Sequence, residues 1–242
     1  MAIIPRHTRY RQMKGLLLIL ACIFSQTTLG QFGIIADKDG FVNVRKSPDI
    51  SNNIIETLTN GQVVFYLEEE GEWRPIDYDL SKQNKSGYVH KSRVKLIENF
   101  DKIAYNNLTD STIEFKMDAI KLIVTKTKFI PKNNKLQYHK GDASKNERSW
   151  LEKINGKEIW GADGDVPKNQ YGQITLTIRK NKIHLPIDNL FEPNLDYTTF
   201  NIDEKNNTIY ISAMNSDGAG GYAVLWIIEN GTFKQRITTI PF

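Results

Sequence analysis

The chain is poor in the side chains on which enzyme chemistry is usually built. Among 242 residues there is one cysteine, Cys22, and there are four histidines. With a single thiol no disulfide can form within the chain, so the fold must be held by its core alone. His90, His139 and His184 are scattered without metal-ligand spacing, and no Gly-x-Ser-x-Gly elbow occurs. The acidic residues number 28, enough in principle for a hydrolytic carboxylate pair, but no pattern singles a pair out. No apolar run reaches the roughly 20 residues that a membrane-spanning helix needs. The expectation is therefore a protein without catalytic residues, cofactor, metal or transmembrane span.

What is present begins with a basic and then apolar N-terminus. Arg6, Arg9, Arg11 and Lys14 precede the run Leu16 to Phe24, and Thr28-Leu29-Gly30 offers a small residue at a cleavage point. This order is that of a secretory signal over residues 1–30, with Gln31 as the new N-terminus. It predicts an exported protein, periplasmic or secreted. Ile19-Leu20-Ala21-Cys22 is a competing lipoprotein box that would place a lipid anchor at Cys22, although Leu20 is off-pattern and the apolar run continues past the cysteine. Taking the four leader cations from 32 leaves 28 basic residues against 28 acidic ones, since the leader has no acid. A neutral mature chain lacks the positive field of a nucleic-acid binder, so nucleic acid is not an expected partner. About 212 residues remain, enough for one large domain or two modest ones.

Residues 40–97 carry a recognisable series. Val42-Asn43-Val44-Arg45 is followed by Pro48, Ile54-Ile55-Glu56-Thr57-Leu58, Asn60-Gly61, and Val63-Val64-Phe65-Tyr66-Leu67. Gly71-Glu72-Trp73 and Gly87-Tyr88-Val89-His90 close it. Period-2 alternation sets Val63, Phe65 and Leu67 on one face of a strand and Val64 and Tyr66 on the other. Short strands separated by turn residues predict a small β-barrel. Pro75 suggests an edge strand or a bulge, and Asp77 to Ser86 reads as a long polar loop that either caps a ligand groove or is a tolerated insertion. The series resembles the bacterial SH3-like domain (SH3 type 3), placed at residues 33–98. That resemblance implies a non-catalytic binding module for a cell-wall peptide, a glycan or a protein segment.

Trp73, Tyr78 and Tyr88 are the candidate ligand-binding aromatics, each a broad face with a polar handle. The barrel's need for bulk also claims Trp73 and Tyr88 for the core, whereas Tyr78, in the polar stretch, is expected at the surface. His90 reads as a strand-end surface residue without a neighbouring carboxylate or nucleophile.

Residues 100–242 read as a larger antiparallel β domain with little helix. Ile174, Leu176 and Ile178 alternate with Thr175, Thr177 and Arg179, and Ile183, Leu185 and Ile187 continue beyond a turn at Lys180-Asn181. Phe200 and Ile202 pair with Ile209 and Ile211 across a turn near Asn206-Asn207. Tyr222 to Ile228 is almost continuously apolar, which predicts a strand covered on both faces. Asn155-Gly156 and Asn230-Gly231 are hairpin turns, and a helix over 144–152 competes with the first hairpin. Trp160 to Pro167 and Asn215 to Gly221 combine glycine with aspartate. Asp163, Asp165, Asp217 and Tyr222 are the loop candidates; the aspartates would supply too few ligands for calcium, and turn-making explains them without a metal.

The sequence thus predicts an all-β chain that works by binding, its partner a cell-wall component or a protein. An immunity or inhibitor protein against an antibacterial toxin is the alternative, and a cell-wall hydrolase a further one.

Overall fold

The computed structural model describes residues 30–241 apart from 68–70, 81–83, 143 and 145–146. The leader cations and Cys22 lie outside the described residues. The described chain is all β with short 3₁₀ turns, and none of its helices is long and apolar enough to cross a membrane.

The first seven strands are β1 (Gln31–Ile35), β2 (Phe41–Arg45), β3 (Ile54–Thr59), β4 (Val63–Tyr66), β5 (Trp73–Tyr78), β6 (Lys85–His90) and β7 (Val94–Leu96). They form one antiparallel sheet in the order β3-β2-β6-β5-β4-β1-β7. All seven contribute to a single core of Ile35, Val42, Val44, Leu58, Val64, Tyr66, Ile76, Tyr78, Val89, Val94 and Leu96. The sheet is therefore rolled around its own interior as an SH3-like barrel. Gly87 makes this closure feasible: a Cβ there would lie 2.4 Å from Val44 Cγ1 and 3.0 Å from the Arg45 carbonyl oxygen. Only glycine lets β6 approach β2 so closely.

Local structure departs from the simplest strand-and-turn pattern at three places. Pro75 is neither on an edge strand nor at a bulge, because β5 lies between β6 and β4. The Pro75 carbonyl accepts from Leu67 N–H (3.1 Å), just beyond the end of β4. The nitrogen and oxygen of one strand residue face the same neighbour, so the missing donor falls where the ladder has run out. Second, Asn60-Gly61 turns with a positive φ at Gly61 alone (85°). Asn60 instead holds Asp37 through its side chain, accepting from Asp37 N–H (2.8 Å) and donating to Asp37 O (2.7 Å). Third, Asp77 and Tyr78 belong to β5 and Lys85 and Ser86 to β6, with Tyr78 opposite Lys85. Of the described residues between them, Leu80 and Asn84 turn towards the C-terminal half: Leu80 is buried against it, and the Asn84 side-chain amide donates to Thr239 Oγ1 (3.1 Å).

Thirteen further strands follow: β8 (Asp101–Lys102), β9 (Tyr105–Leu108), β10 (Thr112–Met117), β11 (Ile120–Lys128), β12 (Leu136–His139), β13 (Trp150–Ile154), β14 (Lys157–Glu158), β15 (Asn169–Ile178), β16 (Asn181–His184), β17 (Thr198–Asp203), β18 (Thr208–Asn215), β19 (Tyr222–Glu229) and β20 (Thr232–Thr239). They build two five-stranded antiparallel sheets, β16-β15-β11-β10-β9 and β20-β19-β18-β17-β8, with a small sheet β12-β13-β14 to the side. Ile113, Phe115, Leu122, Val124, Ile174 and Leu176 of the first sheet meet Phe200, Ile211, Val224, Trp226 and Ile228 of the second. The C-terminal part is thus a β-sandwich. Trp150–Ile154 is a strand, so the competing helix over 144–152 is set aside. Asn155 (φ 54°) and Gly156 (φ 80°) make the tight hairpin turn that their pairing predicts, as do Asn230 (φ 51°) and Gly231 (φ 72°).

The apolar run Tyr222 to Ile228 is strand β19, buried on both faces. Tyr222, Val224, Trp226 and Ile228 point into the sandwich, while Ala223, Leu225 and Ile227 point away from it. The second face is covered by the barrel. Phe32 and Ile34 of β1 and Phe65 of β4 project outward from the barrel and share a core with Tyr210, Ala223, Leu225, Ile227 and Ile237. Val64 and Tyr66, one residue out of phase with Phe65, fill the barrel interior. Both faces of β4 are apolar because each meets a different core. The molecule is a three-layer stack of sheet, sheet and barrel, in which fully burying a large apolar side chain contributes about 1.5–3 kcal/mol.

Candidate functional site

Strand alternation decides what the barrel shows to solvent. With Val42 and Val44 inside, β2 turns Phe41, Asn43 and Arg45 outward. With Arg74, Ile76 and Tyr78 inside, β5 presents Trp73, Pro75 and Asp77; β6 presents Tyr88 and His90. Register brings these together: Trp73 lies opposite His90, Pro75 opposite Tyr88, and Arg45 opposite Tyr88. Beside them opens a groove of about 380 Å³ lined by Asp37, Asp39, Phe41, Asn43, Arg45, Ile50, Trp73, His90, Ser92 and Arg93.

Trp73 is one wall of this groove. It is half-buried and is not part of the barrel core. The His90 ring meets it edge-on, with centroids 5.6 Å apart, and the Arg45 guanidinium carbon lies 5.5 Å from its centroid. Arg45 is held in place by its Nη1, which donates to Ser51 O (2.7 Å) and Asn53 Oδ1 (2.9 Å). Phe41 and Ile50 are 46% and 82% exposed, so an apolar surface is offered to whatever enters. At the far end Asp37 has a nearly buried side chain. It accepts from Asp39 N–H (2.8 Å) and pairs with Arg93. The Asp39 amide, with help from Arg93, holds the Asp37 carboxyl below the usual carboxylate range against the opposing effect of desolvation. Asp39 has no ion-pair partner among the described residues and faces the groove as a free carboxylate.

Tyr78 is the principal correction. It is 4% exposed and packs in the barrel core, with Lys85 Nζ 5.7 Å from its ring. Burial pushes its hydroxyl pKa up. The period-2 pair Ile76 and Tyr78 was its sequence signal, masked by the polar residues that follow. The sequence assigned Trp73 to the core and Tyr78 to the surface, and the structure exchanges the two. Tyr88 is half-buried on the outer face, next to the groove rather than in its lining.

His90 ends β6 at the surface, as the sequence reads, but it has the carboxylate and hydroxyl neighbours that the sequence did not show. Its Nδ1 is 2.8 Å from Ser92 Oγ, and its Nε2 is 3.5 Å from Glu72 Oε2. The set resembles a hydrolytic relay in composition, but its geometry is that of a cap. Ser92 N–H also points at Nδ1 (3.4 Å), at the start of a 3₁₀ turn. Glu72 is nearer to Lys91 Nζ (2.8 Å), which holds its carboxyl below the usual range.

The two glycine-aspartate loops converge at one end of the sandwich. Ser216 Oγ donates to Gly161 O (2.9 Å), and the loops border a cleft of about 670 Å³ lined in part by Lys126, Asp163, Asp165, Lys168, Asn194 and Asp217. Gly161 (φ 97°) is required there, since a Cβ would come within 2.3 Å of the Phe191 carbonyl oxygen. Beneath the loops, Tyr171 and Asn215 exchange hydrogen bonds of 3.1 and 3.0 Å, and Asn215 Oδ1 also accepts from Asn194 N–H (3.0 Å). Desolvation holds the Tyr171 hydroxyl protonated far above neutral pH. Asp163, Asp165 and Asp217 are exposed on the cleft, whereas Tyr222 is not a surface residue. It is 1% exposed and its hydroxyl donates to Phe191 O (2.9 Å). Among the described residues no group of three or more His, Cys, Asp or Glu side chains is arranged to hold a metal ion.

Phe41, Arg45, Ile50 and Ser92 were not foreseen as site residues. Val42 and Val44 are the signal for Phe41 and Arg45, because two inward valines fix the outward residues between and beside them. No curated protein and no solved structure matches the chain. Residues 40–95, from just before β2 into β7, match the bacterial SH3 domain family.

Proposed function

We propose that the chain is an exported, non-catalytic binding protein whose SH3 module recognises a cell-envelope ligand of the peptidoglycan or glycan kind. Bacterial SH3 domains are binding modules, often found in cell-wall-associated proteins. The observation that carries the reading is Trp73, the largest apolar side chain on the outer face of the barrel, kept half-exposed between Arg45 and His90. An aromatic face ringed by Asn43, Asp39, Arg45 and Ser92 suits a ligand that alternates apolar patches with hydroxyl, amide or charged groups. The basic and apolar leader supports export. The sandwich serves as a rigid base, fused to the barrel through a shared core. Co-sedimentation of the full chain with purified peptidoglycan, compared between wild type and Trp73→Ala, tests the reading.

A further inference from the structure

We propose, resting on the reading of the Trp73 groove as the ligand site, that the groove takes its ligand by a free carboxylate held side-on by the Nε and Nη2 donors of Arg45. Arg45 projects from β2 on the outer face of the barrel and lines the groove. Its Nη1 donates to Ser51 O (2.7 Å) and to Asn53 Oδ1 (2.9 Å). Asn53 is itself fixed, because its Nδ2 donates to Ser47 O (3.1 Å) and Ser47 Oγ (2.6 Å). The loop after β2 therefore orients the guanidinium. A guanidinium carries five N–H donors, and the two on Nη1 are spent, which leaves one on Nε and two on Nη2. Among the described residues no acceptor takes these, and neither nitrogen is a buried atom lacking a partner, so both reach solvent. Nε–H and one Nη2–H lie parallel on one edge, the fork that a carboxylate accepts bidentately.

The charges of the lining agree. Among the described residues Arg45 has no ion-pair partner. Asp49, the acid of the loop that holds it, is occupied: it accepts from Ser47 Oγ (2.9 Å), Ser51 N–H (2.7 Å) and Asn53 Nδ2 (3.2 Å). Arg93, the other arginine of the groove, is neutralised by Asp37. Asp39 belongs to the loop before β2 and repels an acid from its own part of the lining. A carboxylate is thus directed to Arg45 beside Trp73. The indole assists, since a guanidinium stacked on a ring keeps its N–H edge in its own plane and open to a ligand. The ring also excludes water from one face of the new ion pair, which strengthens it. A peptide or an acidic sugar can supply the carboxylate by the same chemistry.

The test is a nuclear magnetic resonance titration of the full chain, following the Arg45 Nε–H and Trp73 indole N–H signals. The probes are acetyl-Ala-Ala as free acid and as amide, and N-acetylmuramic acid and its methyl ester. At least one acid should shift both signals saturably, with its uncharged partner weaker by about tenfold or more. The acid that saturates at the lower concentration identifies peptide or sugar as the source. Arg45→Lys keeps the charge but loses the fork, and should bind the acid about tenfold more weakly than wild type, as read from the Trp73 signal. Should that variant fail to fold, the comparison of acid with uncharged partner on wild type decides alone. No shift of the Arg45 signal by either acid, equal affinity for acid and uncharged partner, or undiminished acid binding by Arg45→Lys would each overturn the proposal. Co-sedimentation with peptidoglycan alongside any of those results would leave the envelope reading of the groove standing, so the two fail separately.

Discussion

The Arg45 guanidinium carbon lies 5.5 Å from the centroid of the Trp73 ring, on the solvent side of the barrel. A stacked arginine shields one part of the indole and leaves an amphipathic edge for a ligand. Such a pair contributes about 0.5–1 kcal/mol at an exposed site. That is too little to explain keeping a tryptophan half out of the core on stability grounds.

The exchange of roles between Trp73 and Tyr78 predicts opposite mutational outcomes. Tyr78→Ala removes a side chain that is 4% exposed in the barrel interior and should destabilise the chain by about 3–5 kcal/mol. Trp73→Ala should cost about 1 kcal/mol or less. Urea unfolding followed by far-ultraviolet circular dichroism measures both. Equal destabilisation by the two variants would place Trp73 in the core after all.

Barrel and sandwich should unfold as one unit. Phe65, 1% exposed, belongs to the core shared with Leu225 and Ile227. Phe65→Ala should lower the stability of the whole chain by about 3–5 kcal/mol and leave a single transition. Trp73 reports on the barrel and Trp226 on the sandwich, so emission from single-tryptophan variants can be compared. Separate midpoints in wild type would show that the shared core does not couple the two parts.

Acid stability should depend on Asp37. Its carboxyl lies below the usual carboxylate range, held there by the Asp39 amide and Arg93. A depressed carboxyl contributes stability above its unfolded pKa, near 3.9, and loses it as pH falls through the lower folded value. Asp37→Asn should therefore melt below wild type at pH 5 to 7, with the gap closing below about pH 4. Melting curves across that range check it, and a gap that widens towards acid would contradict the assignment.

The Ser92, His90 and Glu72 constellation should bind and not hydrolyse. With Glu72 committed to Lys91 and His90 capping the 3₁₀ turn that contains Ser92, the full chain should release p-nitrophenol from its acetate ester no faster than a His90→Ala variant. Burst kinetics abolished by Ser92→Ala would make the chain an enzyme and overturn the non-catalytic reading.

Much of the fold was legible because alternation in a half-buried sheet writes itself into sequence. The strands β15 and β17 to β20 follow from Ile174-Leu176-Ile178, Phe200-Ile202 and Ile209-Ile211 and from the Asn-Gly turn ahead of Thr232. The unbroken apolar run of β19 announced two-sided burial, but nothing local told what the second cover was. That cover is the barrel, and its contacts through Phe32, Ile34 and Phe65 are distant in sequence. Pro75 misled because a strand-centre proline is tolerated wherever its neighbour has already ended, a fact of tertiary register. The site was half legible. Trp73 was singled out for its chemistry, yet its exposure depends on strand phase, which the inward Arg74 (8% exposed) obscured by occupying a core-facing position with a charge. The convergence of the Asp163 and Asp217 loops is set by how the sandwich ends meet, which no short motif encodes.

The most direct test of the account is the amount of full-length chain that co-sediments with purified peptidoglycan as a function of ligand concentration. Wild type should sediment saturably, and Trp73→Ala should lose affinity by about tenfold or more at an essentially unchanged unfolding midpoint. Failure of wild type to sediment, or a variant that sediments equally well, would contradict the assignment of the Trp73 groove as an envelope-binding surface.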